Sequence, residues 1–254
     1  MSNSPLVTYS RISPNRTSPR NHKIDTVTIH CIVGQWTAKQ GCDFFATTNR
    51  ERSANYVVGK DGSIGLSVEE KDRSWCSSSR ANDNRAVTIE VASDTAHPYK
   101  VTDQALAALV DLLADICRRN GIKALLWKGD KSLIGQVNKQ NMTVHRWFAA
   151  KACPGDWLYS RHGQIAAEVN KRLGVKDAGS STGGQTSGNT ETGLFLSTPS
   201  ARRATRLQRC LPCHASCVVA AVAAGVVMLG VATMRMPPPR EDRICLMPSS
   251  GANG

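Results

Sequence analysis

Aromatic residues are scarce in this 254-residue chain, at 5%, which argues against an aromatic-rich carbohydrate-binding surface. Residues 1–23 lack an apolar run of signal-peptide length, so no cleavable secretory signal is read there. Nine cysteines is an odd number, and a complete set of internal disulfides is therefore impossible. The thiols at 31, 42, 76, 117 and 153 are scattered singly before a cluster near the end. A compact secreted disulfide scaffold does not fit that pattern. Acidic residues are outnumbered, 20 Asp and Glu against 32 Lys and Arg, for a net charge of +12. The excess implies an anionic partner: nucleic acid, a membrane surface or a polyanionic wall polymer, which composition does not rank. Apolar residues make up 41%, which excludes a wholly disordered chain, and the length suits one or two domains with a real core.

The chain changes character twice. Residues 1–176 read as ordinary globular sequence and hold most of the positive surplus, 25 Lys and Arg against 17 Asp and Glu up to residue 178. Residues 177–193 are Gly, Ser and Thr with little to bury, a flexible linker. From 194 to 254 arginine occurs seven times and lysine never, with Glu241 and Asp242 the sole acids. No internal repeat is present.

Strand and helix signals alternate within the globular part. Thr26–Val33 is β-branched and apolar and reads as a buried strand. Residues 55–59 and 63–68 flank Lys60-Asp61-Gly62 as a hairpin with an Asp-Gly turn. Residues 86–92 (AVTIEVA) form another strand. Between 103 and 119 the apolar residues Leu106, Leu109, Val110, Leu113, Ile116 and Cys117 recur at helical spacing, with Thr102 as N-cap and Gly121 just past the end. Residues 163–173 repeat the helical pattern. The expectation is an α/β fold, a central mixed β-sheet flanked by helices, in a single catalytic domain.

Four positions invite chemistry. His30 lies inside the first strand, and His145 stands eight residues before Cys153 in NMTVHRWFAAKACPGDWL. Neutral imidazole and thiolate are both zinc ligands, and three protein ligands plus water is the arrangement of a catalytic site. A hydrogen-bonded core histidine and a small buried cysteine at a turn are the alternatives at those positions. The strand period of two puts Thr88 and Glu90 on one face, opposite Val87, Ile89 and Val91. A carboxylate in so apolar a strand is costly to bury unless it is paired or used. His22, His97 and His162 read as solvated or capping residues.

The order TIHCIV, ANYVVGKDG, AVTIEVA and TVHRWFAAKACPGDWL resembles the zinc-dependent N-acetylmuramoyl-L-alanine amidases of phage endolysins and bacterial autolysins, which share a fold with peptidoglycan recognition proteins. The resemblance spans residues 20–175. It implies a Zn²⁺ cofactor held by His30, His145 and Cys153, with Glu90 as the catalytic carboxylate and Lys151 lining the site near the developing oxyanion. It also implies hydrolysis of the amide between the lactyl group of N-acetylmuramic acid and the L-Ala of the stem peptide. One departure is visible: where some branches carry a tyrosine before the hairpin, this chain has Ala54, then Asn55 and Tyr56. The chain therefore resembles the branch that uses a strand carboxylate instead. Arg80, Asn82 and Asn84, in the polar loop before the Glu90 strand, together with Trp75, are candidates for contacts with the stem peptide. A non-catalytic peptidoglycan-binding module and a protein-binding regulator on the same fold are the other readings.

The partner implied is peptidoglycan rather than nucleic acid, for a monomer made in the cytoplasm and acting at the cell wall after release or export by an unknown route. The tail fits no wall-binding module. Cys210-Leu-Pro-Cys213-His214 matches a haem-attachment pattern, but too few residues surround it for a haem pocket; a zinc knuckle including Cys217 is the other metal reading. Residues 215–234 are uncharged and near the minimum length for a membrane anchor, the one route to a membrane partner. Otherwise 194–254 reads as disordered sequence or translation in a wrong frame. All the assigned chemistry lies between 30 and 153. A chain ending near residue 178 is therefore expected to fold and to cleave purified walls as the full chain does. Wall binding weakened about tenfold or more at fixed salt would instead make the tail a working module.

Overall fold

A computed structural model describes residues 2–175. The linker at 177–193 and every expectation for 194–254, the anchor and the cysteine cluster included, lie outside the described residues. In chain order the elements are β1 (Tyr9–Ser10), β2 (Arg16–Thr17), β3 (Thr26–Val33), α1 (Ala38–Thr47), β4 (Tyr56–Val58), β5 (Ile64–Leu66), β6 (Arg73–Ser74), α2 (Arg80–Arg85), β7 (Ala86–Ser93), α3 (Asp103–Asn120), β8 (Met142–Thr143) and α4 (Asp156–Arg172). Short 3₁₀ turns occupy Lys131–Leu133 and His145–Trp147. Among the described residues no helix is long and apolar enough to cross a membrane.

Six strands form one mixed sheet in the order β1-β5-β4-β7-β3-β8, and β2 pairs with β6 separately. Only β4 and β5 are antiparallel within the large sheet. They are the expected hairpin, and Gly62 at φ 80° supplies the left-handed residue that its turn requires. Every residue of β3 and β7 is buried, as expected of parallel strands covered on both faces. One face carries Val27, Ile29, Cys31, Val87, Ile89 and Val91 into the main core, where α3 adds Leu109, Leu112, Leu113 and Ile116 and α4 adds Leu158, Ile165 and Val169. Ile32, Cys42, Phe45, Ala54 and Val57 form a smaller apolar cluster that includes residues of α1.

α3 follows its sequence signals closely. Thr102 Oγ1 accepts from the Ala105 N–H (3.1 Å), and Gly121 closes the helix in the left-handed region. α4 begins at Asp156, seven residues earlier than the spacing predicted, because Leu158 and His162 extend the buried stripe of Ile165, Ala166 and Val169 by two turns. α1 was not anticipated, although Thr37 and Gln40 form a capping box at its start. The stretch expected as a polar loop before β7 is instead the short helix α2, capped by Ser79 Oγ, which accepts from the Asn82 N–H.

Arg20 is the buried tie of this half of the molecule. Its Nε donates to Glu70 O (2.7 Å), Nη1 to Asn84 O and Ala86 O (both 3.0 Å), and Nη2 to Asp72 O (2.9 Å). Burial lowers its pKa to about 10, partly offset by Glu70, Asp83 and Asp72. One side chain thus fastens the 70–72 turn to the point where α2 runs into β7. Replacing Arg20 with Leu strands those carbonyls and is expected to cost at least about 3 kcal/mol in urea unfolding. A loss within about 0.5 kcal/mol, the range of an ordinary surface change, would show that the carbonyls find other partners.

Candidate metal centre and its cleft

The centre is set by strand register. β3 and β7 run parallel with His30 opposite Glu90 and Thr28 opposite Thr88, so these four side chains share the face turned away from the main core. β8 joins the other edge of β3 with Thr143 opposite Thr28. The two threonine hydroxyls are 2.7 Å apart, and Asn82 closes the cluster: its Nδ2 donates to Thr28 Oγ1 (3.0 Å) and its Oδ1 accepts from Thr143 Oγ1 (2.9 Å). With β8 fixed in this way, the chain leaves it directly into the 3₁₀ turn that carries His145.

His145 and His30 meet edge to face, with ring centroids 5.1 Å apart. The Arg146 N–H donates to Cys153 O (3.1 Å), folding the 146–153 loop back so that Cys153 Sγ lies 3.4 Å from His30 Nδ1. One donor atom from each of His30, His145 and Cys153 lies within 4.8 Å of the others, and all three residues are buried. His145 Nε2 meets Ser78 Oγ at 2.9 Å, and Ser78 holds the left-handed φ of 61°, uncommon for a residue with a Cβ. Burial keeps the His30 imidazole well below its ordinary pKa, with His145 and His162 adding to the effect. Burial and then the charge of Lys151 bring His145 to about 4. Both rings are neutral at pH 7, the form that ligates a metal.

These residues fit zinc. Bond lengths of about 2.3 Å to sulfur and 2.0–2.1 Å to nitrogen place the two donors roughly 3.5 Å apart on a tetrahedral ion, and His30 Nδ1 and Cys153 Sγ stand at 3.4 Å. His145 Nδ1 is a buried ring nitrogen with no hydrogen-bond partner. A buried nitrogen of that kind is costly in a purely structural role.

Beside the donors opens a cleft of about 280 Å³. Glu90, Lys151, Trp75 and Arg80, singled out above, all line it, along with Cys76, Ser78, Arg73 and Asp83, which were not. Asn82 and Asn84 are corrected. Both are buried in α2; Asn82 serves the threonine cluster, while Asn84 Nδ2 donates to Arg80 O and its Oδ1 accepts from the Asn21 N–H. They build the wall rather than face the cleft. Tyr56 pairs with Ile89, not Glu90, and so points into the main core, where its hydroxyl donates to Glu70 Oε1 (2.6 Å). His162 is neither solvated nor a cap: it is fully buried, its Nδ1 is 2.7 Å from Leu158 O, and its ring lies 4.6 Å from that of Trp127. His97 remains at the surface, 2.9 Å from Asp156 Oδ2.

The overlooked residue with the widest influence is Asp83. It accepts from the Cys76 N–H (3.0 Å), the Ser77 N–H (3.2 Å) and Ser77 Oγ (2.6 Å), fixing the 76–78 segment against α2. Burial pushes its carboxyl up, against these hydrogen bonds, which pull it down. Its neighbours Asn82 and Asn84 give the segment the look of a surface loop, and nothing local marks this one polar residue as an anchor.

A family model described as N-acetylmuramoyl-L-alanine amidase matches residues 20–156. Among solved structures, a mutant form of PlyL superposes with a TM-score of 0.50 at 14% identity, covering 64% of this chain and 97% of that one. The endolysin amidase LysCS from Clostridium intestinale gives 0.45 at 15% identity over 69% of this chain and 100% of that one. AmiA of Staphylococcus aureus, in complex with its ligand, gives 0.47 at 13% over 65% and 82%. A search of curated proteins found no match.

Proposed function

From the premise that this chain belongs to the N-acetylmuramoyl-L-alanine amidase family, we propose that His30, His145 and Cys153 hold a zinc ion and that Glu90 is the general base beside it. The reaction is hydrolysis of the amide joining the lactyl group of N-acetylmuramic acid to L-Ala of the stem peptide, with peptidoglycan as substrate. The observation that carries the proposed roles is the convergence of three donors within 4.8 Å, next to the carboxylate that stands opposite His30 in register. A module that only binds peptidoglycan has no need of that carboxylate.

An amide is unreactive, so the site must supply a nucleophile at neutral pH and stabilise the charge that grows on the carbonyl oxygen. Zinc provides Lewis acidity, lowering the pKa of water to about 7 and polarising the carbonyl. Two neutral imidazoles and one thiolate leave that acidity largely intact. A Glu90 carboxylate oxygen accepts the proton of the attacking water and returns it to the departing amine, a role worth typically ~10²–10⁴-fold. Lys151 lines the same cleft, close enough to His145 to disfavour its protonation, which supports assigning its charge to the oxyanion. Trp75 and Arg80 line the wall and are assigned to the stem peptide. The proposed place of action is the cell wall, toward whose anionic polymers a basic protein is steered.

Two measurements test these roles. Cys153→Ala should lower the zinc content of the purified chain by one equivalent, because two histidines are an incomplete ligand set. Unchanged zinc would remove Cys153 from the centre. Glu90→Gln should keep zinc and wall binding yet lose about 10²–10⁴-fold in the rate at which purified walls clear. If its rate stays within about threefold of the parent, Glu90 is not the base.

A further inference from the structure

Cys76 stands apart from the other thiols of the domain. Cys31, Cys42 and Cys117 are buried in apolar clusters, and burial pushes the thiols of Cys42 and Cys117 up to about 12. Cys76 is only half-buried, lines the cleft, and has its Sγ 3.8 Å from Glu90 Oε1. Donor atoms of His30, Cys76 and Glu90 lie within 4.8 Å of one another, a second group of metal-ligating side chains that shares His30 with the first.

The placement is rigid on both sides. The Trp75 N–H donates to Ser53 Oγ (2.9 Å), and the N–H groups of Cys76 and Ser77 both donate to the buried Asp83 carboxylate. The thiol is therefore presented to the cleft by a fixed backbone. A thiolate at about 2.3 Å and a carboxylate oxygen at 2.0–2.2 Å stand roughly 3.5 Å apart on a tetrahedral ion, close to the 3.8 Å found between Cys76 and Glu90.

We propose that Cys76 and Glu90 form a second, inhibitory cation site, which takes a thiophilic divalent ion such as cadmium or surplus zinc. The proposal rests on the reading of His30, His145 and Cys153 as the primary set, since His30 is then committed and Cys76 and Glu90 supply the protein donors, with water completing the shell. As the ion binds, the Cys76 thiol gives its proton to solvent, a sulfur–metal bond and an oxygen–metal bond form, and no oxidation state changes. The filled site ties up the Glu90 carboxylate, so it can no longer carry the water's proton. Having only two protein donors, the site fills after the primary one. Soft thiolate ligation favours cadmium over hard cations such as magnesium.

Alkylation of Cys76 in the full-length, zinc-loaded protein tests this, read by mass spectrometry on the peptide that contains it. Cadmium is titrated past the demand of the tail thiols. Cys76 should label readily before cadmium is added and at least about tenfold more slowly after, with wall clearing lost over the same cadmium range. In Glu90→Gln the cadmium protection should largely disappear, because the amide is a poor ligand. Equal labelling with and without cadmium would overturn the proposal, as would protection that survives Glu90→Gln. Failure of the primary reading shows itself elsewhere, as a zinc content that Cys153→Ala does not lower.

Discussion

The parallel register of β3 on β7 is the constraint on which the centre depends. It sets His30 beside Glu90, and it does so because the alternate residues on both strands are apolar and face one core. A slip of one residue would turn Val27, Ile29 and Cys31 toward the cleft and bury His30 among α3 and α4. With about 1.5–3 kcal/mol at stake for each large apolar side chain, a shifted register cannot compete. The same hydrophobic pattern that stabilises the sheet therefore positions the chemistry, and no separate device is needed to hold the histidine and the carboxylate together.

What the sheet does not position, hydrogen bonds do. Thr28, Thr143 and Asn82 lock the short strand β8 against β3, and the turn that follows delivers His145 to within ring contact of His30. Two residues of β8 would register weakly on backbone pairing alone. Asp83 performs the equivalent service for the opposite wall of the cleft by holding the 76–78 segment. Both devices originate in α2, and Arg20 ties the 70–72 turn to the junction of that helix with β7. A six-residue helix of unpromising composition is thus the common support for both walls.

The electrostatic arrangement follows from burial. Histidines removed from water resist protonation, and Lys151 adds to that resistance at His145. The result is a pair of neutral imidazoles available as ligands near pH 7. Glu90 and the cationic Arg73, Arg80 and Lys151 line one cleft, so the proposed base and the positive charge proposed for a developing oxyanion share one space.

The long regular elements were legible because their signals are local. β3 and β7 announce themselves by β-branched apolar runs, α3 by its period and both caps, and the hairpin by Asp61-Gly62. Glu90 and His30 were legible as residues out of keeping with their strands, and His145 and Cys153 through their shared segment. The early turns of α4 were not, since Trp157, Tyr159 and His162 interrupt a simple apolar stripe, and His162 is covered by Trp127, a residue outside the helix. Asn82, Asn84 and Asp83 carry no local mark that separates a solvated polar residue from a buried tie; Asn82 meets Thr28 and Thr143 on strands distant in sequence, Asn84 meets the Asn21 N–H, and Asp83 holds the nearby 76–77 backbone. The sequence by itself determined the fold class and the strand faces, because periodicity acts within a few residues, and its resemblance to the amidases implied the proposed donors. Only the tertiary structure decided that these donors meet, that Cys76 joins Glu90 and that the asparagines turn inward, because each depends on contacts between segments that the sheet brings together.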